Sequence, residues 1–325
     1  MWYFYNEIDS EKLENLINQI NSVYTNIFSD VKFEYPTWID GIRLKLDFEQ
    51  FKNAFQLSGQ DEKENLADAY SKNIQIENIC NFTVNPVSYE DLLWDASHDF
   101  KRCIDGLKKI QDYLYDNLLK LKGLIEDVGT LKNYYEKFYD ESIEYVCAFC
   151  GIGTMLTSKD KFREAFDHYF PRSKYPFVSL LRKNLFPICH TCNSTYKGDK
   201  NPRDYGKVFY PFSIKYNDCK PVFRIRAGVI ENIEIASQNF QNEIKTWNEV
   251  FSIKDRIKNF AEVNLNGWMS NVSEAVGIYN IDFETAKNAE VERCKSNKMQ
   301  DHKFIKKATL EALSYIEGEY HELQL

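Results

Sequence analysis

Apolar residues recur at helical spacing through most of the first 140 positions. Leu13, Leu16, Ile17 and Ile20 fall on one face of a helix. A longer stripe runs through Ile104, Leu107, Leu114, Leu118, Leu121, Ile125 and Val128. It predicts a long amphipathic helix, or a helical hairpin broken near Gly123 or Gly129. The stretch from Asn73 to Ser88 has little periodicity and contains Pro86, so an irregular connection is expected there. Tyr134, Tyr135, Phe138 and Tyr139 follow. They could stack on bases, but packing against the next unit suits such aromatics better.

Period two replaces helical spacing late in the chain. Val222-Phe223-Arg224-Ile225-Arg226, then Ala227-Gly228, then Val229 to Ile235, predicts a β-hairpin. Helical spacing returns from Asn242 through Ile244, Trp247, Phe251, Ile257 and Phe260. A last helix is expected from Phe283 to Glu317, with Ile305, Leu310, Leu313 and Ile316 apolar. The expected class is α+β, mostly helical.

The segment between these regions carries the candidate chemistry. Cys147-Ala148-Phe149-Cys150 and Cys189-His190-Thr191-Cys192 are two CxxC pairs. Each pair supplies two thiolates from one tight turn, and together they make a closed tetrahedral zinc site. A redox disulfide is the rival reading for one pair alone. Such a site is structural: it clamps a unit with too few apolar residues to hold itself together. His190, inside the second pair, is expected to be exposed because four cysteines already complete the site. Cys80, Cys103, Cys219 and Cys294 are isolated, as in a reducing cytoplasm.

Between the pairs stand Phe166-Asp167-His168-Tyr169-Phe170-Pro171-Arg172-Ser173-Lys174, then Asn184-Leu185-Phe186-Pro187-Ile188; Asn193 and Lys197 follow the second pair. In order and spacing these motifs resemble the HNH (ββα-metal) endonucleases over about 55 residues. The resemblance implies that His168 is the general base, that Asn184 orients its loop, and that Asp167 and Asn193 hold a catalytic Mg²⁺ or Mn²⁺. The set is H-N-N, with asparagine at the last metal-binding position, and Lys197 falls one residue later than the commonest spacing. The products implied are a 5′-phosphate and a 3′-hydroxyl. Taken alone, an Asp-His pair is more often a loop or a cap. His98, His302 and His321 have no matching partners nearby and read as surface or core residues.

The later order of a Tyr-Pro-Phe segment, a hairpin and Trp247 with Phe251, Ile253 and Arg256 resembles a subset of bacterial HNH proteins. That subset includes the Septu-type antiphage systems, in which the nuclease works beside an ATPase or sensor subunit. The resemblance implies an antiphage effector acting on nucleic acid, with DNA favoured over RNA. An RNase of the same fold and a non-catalytic zinc adaptor are the alternatives.

Charge is divided unevenly. The chain holds 41 Lys+Arg against 49 Asp+Glu. Residues 1–146 carry 15 basic and 27 acidic side chains, net −12, whereas residues 159–207 carry 11 basic and 5 acidic, net +6. A basic patch around the motif, with Arg172, Lys174 and Lys197 as phosphate contacts, is therefore expected. There is no signal-peptide pattern and no apolar run long enough for a bilayer, so a cytoplasmic protein without membrane contact is expected. Three segments follow from these features: a helical scaffold over 1–140, the zinc-stapled nuclease unit over 141–207, and a hairpin with helices over 208–325.

Overall fold

The computed structural model describes residues 1–7, 11–39, 43–117, 131–157, 159–160, 164 and 166–313. Helices dominate, accompanied by two small two-stranded sheets. Six helices come first: α1 (Glu11–Phe28), α2 (Arg43–Leu57), α3 (Gln60–Asn73), α4 (Ile76–Cys80), α5 (Tyr89–Leu93) and α6 (His98–Asn117). Leu16 and Ile20 of α1 are buried, as their spacing predicts. The stripe on α6 buries Phe100, Cys103, Ile104, Leu107, Ile110 and Leu114. Each such side chain contributes about 1.5–3 kcal/mol when taken from water. Gly106 lets α6 lie close to α2, since a Cβ there would stand 3.4 Å from the Phe51 Cα. The continuation of the stripe, with Gly123 and Gly129, lies outside the described residues. The irregular stretch after α3 contains α4, whose Ile76, Ile79 and Cys80 are buried. One turn is too short to register as a period.

α7 (Leu131–Ser142) leads into the first cysteine pair. Tyr135 and Phe138 are fully buried on it, and each packs edge-on to Phe166 at 6.1 Å. Packing, not display, is what these two aromatics do. β1 (Phe166–His168) and β2 (Leu185–Pro187) form an antiparallel pair with Asp167 opposite Phe186 and His168 opposite Leu185. A helical turn over Thr191–Lys197 follows. It closes on an i→i+5 bond from Gly198 N–H to the Asn193 carbonyl at 2.8 Å, the wide spacing of a π-turn.

β3 (Lys220–Arg226) and β4 (Val229–Ala236) form the expected hairpin around Ala227 and Gly228. Both turn residues have positive φ, 48° and 70°, as a two-residue turn between right-twisted strands requires. Phe223, Ile230, Ile233 and Ile235 face inward. α8 (Gln241–Phe251) and α9 (Ile253–Tyr279) are separated by Ser252, which sits in the left-handed region. The single helix expected from residue 283 is instead two, α10 (Phe283–Arg293) and α11 (Lys303–Ala312). Asn297, Asp301 and His302 take positive φ between them and turn the chain back. Residues 314–325 lie outside the described residues.

Two buried clusters hold the molecule. One joins α1, α2, α3 and α6, and takes in Phe177 from the mid-chain loop. The other gathers residues 1–5, α4, Phe138, all four CxxC cysteines, the hairpin and the C-terminal helices. No helix among the described residues is long and apolar enough to cross a membrane.

Candidate functional site

The two CxxC pairs meet. The sulfurs of Cys147, Cys150, Cys189 and Cys192 lie within 4.8 Å of one another, and all four residues are buried. Cys147 and Cys192 are 4.0 Å apart and Cys150 and Cys189 3.8 Å apart, Sγ to Sγ, and none is in a disulfide. Zinc–sulfur bonds of about 2.3 Å in a tetrahedron set sulfur–sulfur edges of about 3.8 Å, so this cluster can hold a structural metal ion such as zinc.

The knuckle that carries the first pair is built for sulfur. Ile152 and Gly153 donate their N–H groups to Cys150 Sγ at 3.4 and 3.2 Å. Gly151 has φ +67°, and a Cβ there would strike Phe304 and Trp2 at 2.5 and 2.7 Å. A Cβ on Gly153 would come within 2.8 Å of Cys189 Sγ. The Arg256 guanidinium donates to Cys192 Sγ at 3.2 Å. Burial works to lower its pKa, but the charges on Cys192 and Cys150 outweigh burial and hold it above the ordinary value. His190 is exposed and outside the cluster, as expected.

The second cysteine pair brackets the end of β2 and the start of the 191–197 turn, and so faces that turn toward β1. Between them opens a cavity of about 690 Å³. Asp167, His168, Arg172, Asn193 and Lys197 all line it.

His168 is partly buried at the end of β1. Its Nε2 is 2.9 Å from the Ser179 carbonyl. A carbonyl can only accept, so Nε2 carries the proton and Nδ1 keeps the lone pair. Burial lowers its pKa to about 4, against the pull of the Ser179 carbonyl, and the ring is neutral at physiological pH. Asn184, fully buried, accepts from Phe170 N–H at 2.8 Å and donates to the carbonyls of Phe170 at 3.0 Å and Val178 at 3.1 Å. It thereby ties together both ends of the loop that follows His168.

Asp167 is buried against Lys197. The ammonium lies 3.2 Å from Oδ1 and 3.0 Å from Oδ2, but only Oδ1 has hydrogen-bond geometry. Burial pushes the Asp167 carboxyl above its ordinary pKa, with Lys197 pulling the other way. Lys197 is itself only 3% exposed and also donates to the His168 carbonyl at 3.0 Å. It lines the cavity where a phosphate contact was expected, with its ammonium held by Asp167 and the His168 carbonyl.

The other expected cations are paired too. Arg172 lines the cavity, bonded to Asp112 and stacked over the Tyr115 ring at 4.4 Å. Lys174 pairs with Asp204 at 2.9 Å and opens onto a neighbouring hollow. Arg182 pairs with Glu14, and Lys183 with Glu7 at 3.1 Å. The basic excess of residues 159–207 is thus partly met by carboxylates from the acidic N-terminal region. Local composition overstates the charge that this face presents.

α6 supplies a wall that sequence reasoning missed. Tyr115 packs against the His168 ring at 4.8 Å between centroids, the two planes tilted by 49°. Gln111 is buried on the apolar stripe and accepts from Phe177 N–H at 3.0 Å and from Ser179 Oγ at 3.2 Å. It therefore fixes the segment whose carbonyl holds His168. A glutamine at a core position of an otherwise apolar stripe was the available signal.

The chain matches no known family model, no curated protein and no solved structure.

Proposed function

We propose that the protein is a metal-dependent endonuclease that hydrolyses phosphodiester bonds of nucleic acid, with DNA as the favoured polymer. The observation that supports this reading most is the meeting of Asp167, His168 and Asn193 on one cavity. Asp167 and His168 come from β1, and Asn193 from the turn that starts within the second cysteine pair.

His168 Nδ1 is the base. It takes a proton from water as that water attacks phosphorus, and the 3′ oxygen leaves with the electron pair of the broken P–O bond and takes a proton from solvent. A phosphate arriving beside the ring adds negative charge and raises its basicity. Ser179 and Tyr115 hold the imidazole in place, and Asn184 holds the loop behind it. Asp167 and Asn193 offer hard oxygen donors to one cavity and would hold Mg²⁺ or Mn²⁺. A cation held there would supply charge stabilisation to the transition state. Arg172 stands at the same cavity, where a phosphate can compete with Asp112 for its guanidinium. The family resemblance extends the proposal to an antiphage effector working beside an ATPase or sensor subunit.

The test is cleavage by the purified chain of supercoiled plasmid, linear DNA and total tRNA, with and without added Mg²⁺ or Mn²⁺. Metal-dependent cutting is expected, reduced about 10²–10⁴-fold in His168→Ala. A variant that cuts as fast as the parent, or a parent that cuts none of the three, would overturn the reading.

A further inference from the structure

Trp94 is 84% exposed. A lone exposed apolar side chain needs no explanation, but this one has a setting. It follows α5, which starts from a reciprocal cap between Ser88 and Asp91 and is therefore fixed in place. Trp94 lines a hollow of about 610 Å³ with Leu93 and Lys174. That hollow shares Tyr89 and Ser173 with the catalytic cavity, so the two are neighbours on one surface. Cations accompany the rings along this path. Arg172 lies over Tyr115 at 4.4 Å, Lys108 over Tyr89 at 4.8 Å, and Lys174 lines the hollow with Trp94.

We propose that this path is a track for an unpaired nucleotide strand, with Trp94 the platform on which a base beside the scissile phosphate stacks. The inference rests on the nuclease reading and names its substrate class. An open indole face with cations on the adjoining surface matches a strand's bases and phosphates. A duplex hides its base faces, so only an unpaired base can cover the indole. Glu90 lines the same hollow and disfavours a phosphate at that end, whereas a neutral base is unaffected. Lys108, which lines the larger cavity over the shared Tyr89, is the phosphate contact.

Binding is measured in the His168→Ala protein without added divalent cation, so that it is read apart from cleavage. The probes are fluorescein-labelled 12-nucleotide single strands of DNA and of RNA and the matching DNA duplex, followed by anisotropy. Adding Trp94→Ala should raise the single-strand Kd about tenfold and leave the duplex Kd within twofold. Trp94→Phe should restore most of the affinity, because a smaller ring still stacks. The melting curve should not move, since little is packed on the indole. An unchanged single-strand Kd, an equal loss on duplex and single strand, or no binding of any probe before Trp94 is changed would overturn the track. Trp94-dependent binding in a chain that cuts nothing would sink the hydrolysis and leave the track standing. Cutting without Trp94-dependent binding would do the reverse.

Discussion

A primary amide offers an acceptor and two donors, and Asn184 engages all of them with backbone groups in a site closed to water. Asn184→Ala leaves the N–H and carbonyl of Phe170 buried without their partner, while the Val178 carbonyl keeps only Leu181 N–H at 3.4 Å. Each unmet group costs about 1–3 kcal/mol, and relaxation of the loop recovers part of that. The expected loss is about 2–4 kcal/mol in urea unfolding, with cleavage reduced further because Ser179 and His168 hang from the same loop. Asn184→Asp should be at least as damaging, since a carboxylate would face the Phe170 and Val178 carbonyls it now donates to. Stability of the alanine variant within 0.5 kcal/mol of the parent would show that the amide is not the tie. Asp167 and Lys197 follow similar logic in charged form: removing either partner strands the other in a buried place.

The cysteine knuckle and the 191–197 turn form one device at the level of elements. Cys192 anchors the turn from which the adjacent Asn193 reaches the cavity, while Cys147 and Cys150 sit on a knuckle packed against Trp2 and Phe304. Cys147→Ser or Cys192→Ser should therefore release zinc and melt the mid-chain unit, not merely slow chemistry. Gly153→Ala should weaken zinc retention as well, since its methyl would press on Cys189 Sγ. The check is metal content by mass spectrometry beside a melting curve. One equivalent of zinc retained with an unchanged melt in the Cys147→Ser protein would refute the four-sulfur site. This device was legible in the sequence because a CxxC turn fixes its two sulfurs within three residues. The strands of three residues were legible only through their motifs, being too short to show alternation. The breaks at Ser252 and between α10 and α11 were hidden for another reason. A left-handed residue redirects the helix without disturbing the apolar spacing on either side of it.

Long-range pairing is what local pattern carries least. The chain's opening residues interlock with its middle: Trp2 N–H bonds the Ala148 carbonyl at 2.7 Å, and the Tyr3 and Tyr5 hydroxyls bond the carbonyls of Val146 and Pro187, each at 2.7 Å. From the other side, Asn73 donates to the Pro176 carbonyl at 3.1 Å, and Phe177 enters the helical cluster. Segment 141–207 thus shares cores with both flanks, and the cavity beside His168 has α6 as a wall. A unit this small buries too small a fraction of its surface to be stable on one metal site while also exposing Phe149, Phe170, Phe186 and Ile188. Residues 141–207 expressed alone with zinc should therefore show no cooperative thermal transition and no cleavage, while the full chain shows both. Circular dichroism melts and the plasmid assay decide it. A fragment that melts sharply and cuts would mean that the flanking helices only decorate a self-sufficient nuclease, and that the contacts of Gln111 and Tyr115 with the His168 loop are dispensable.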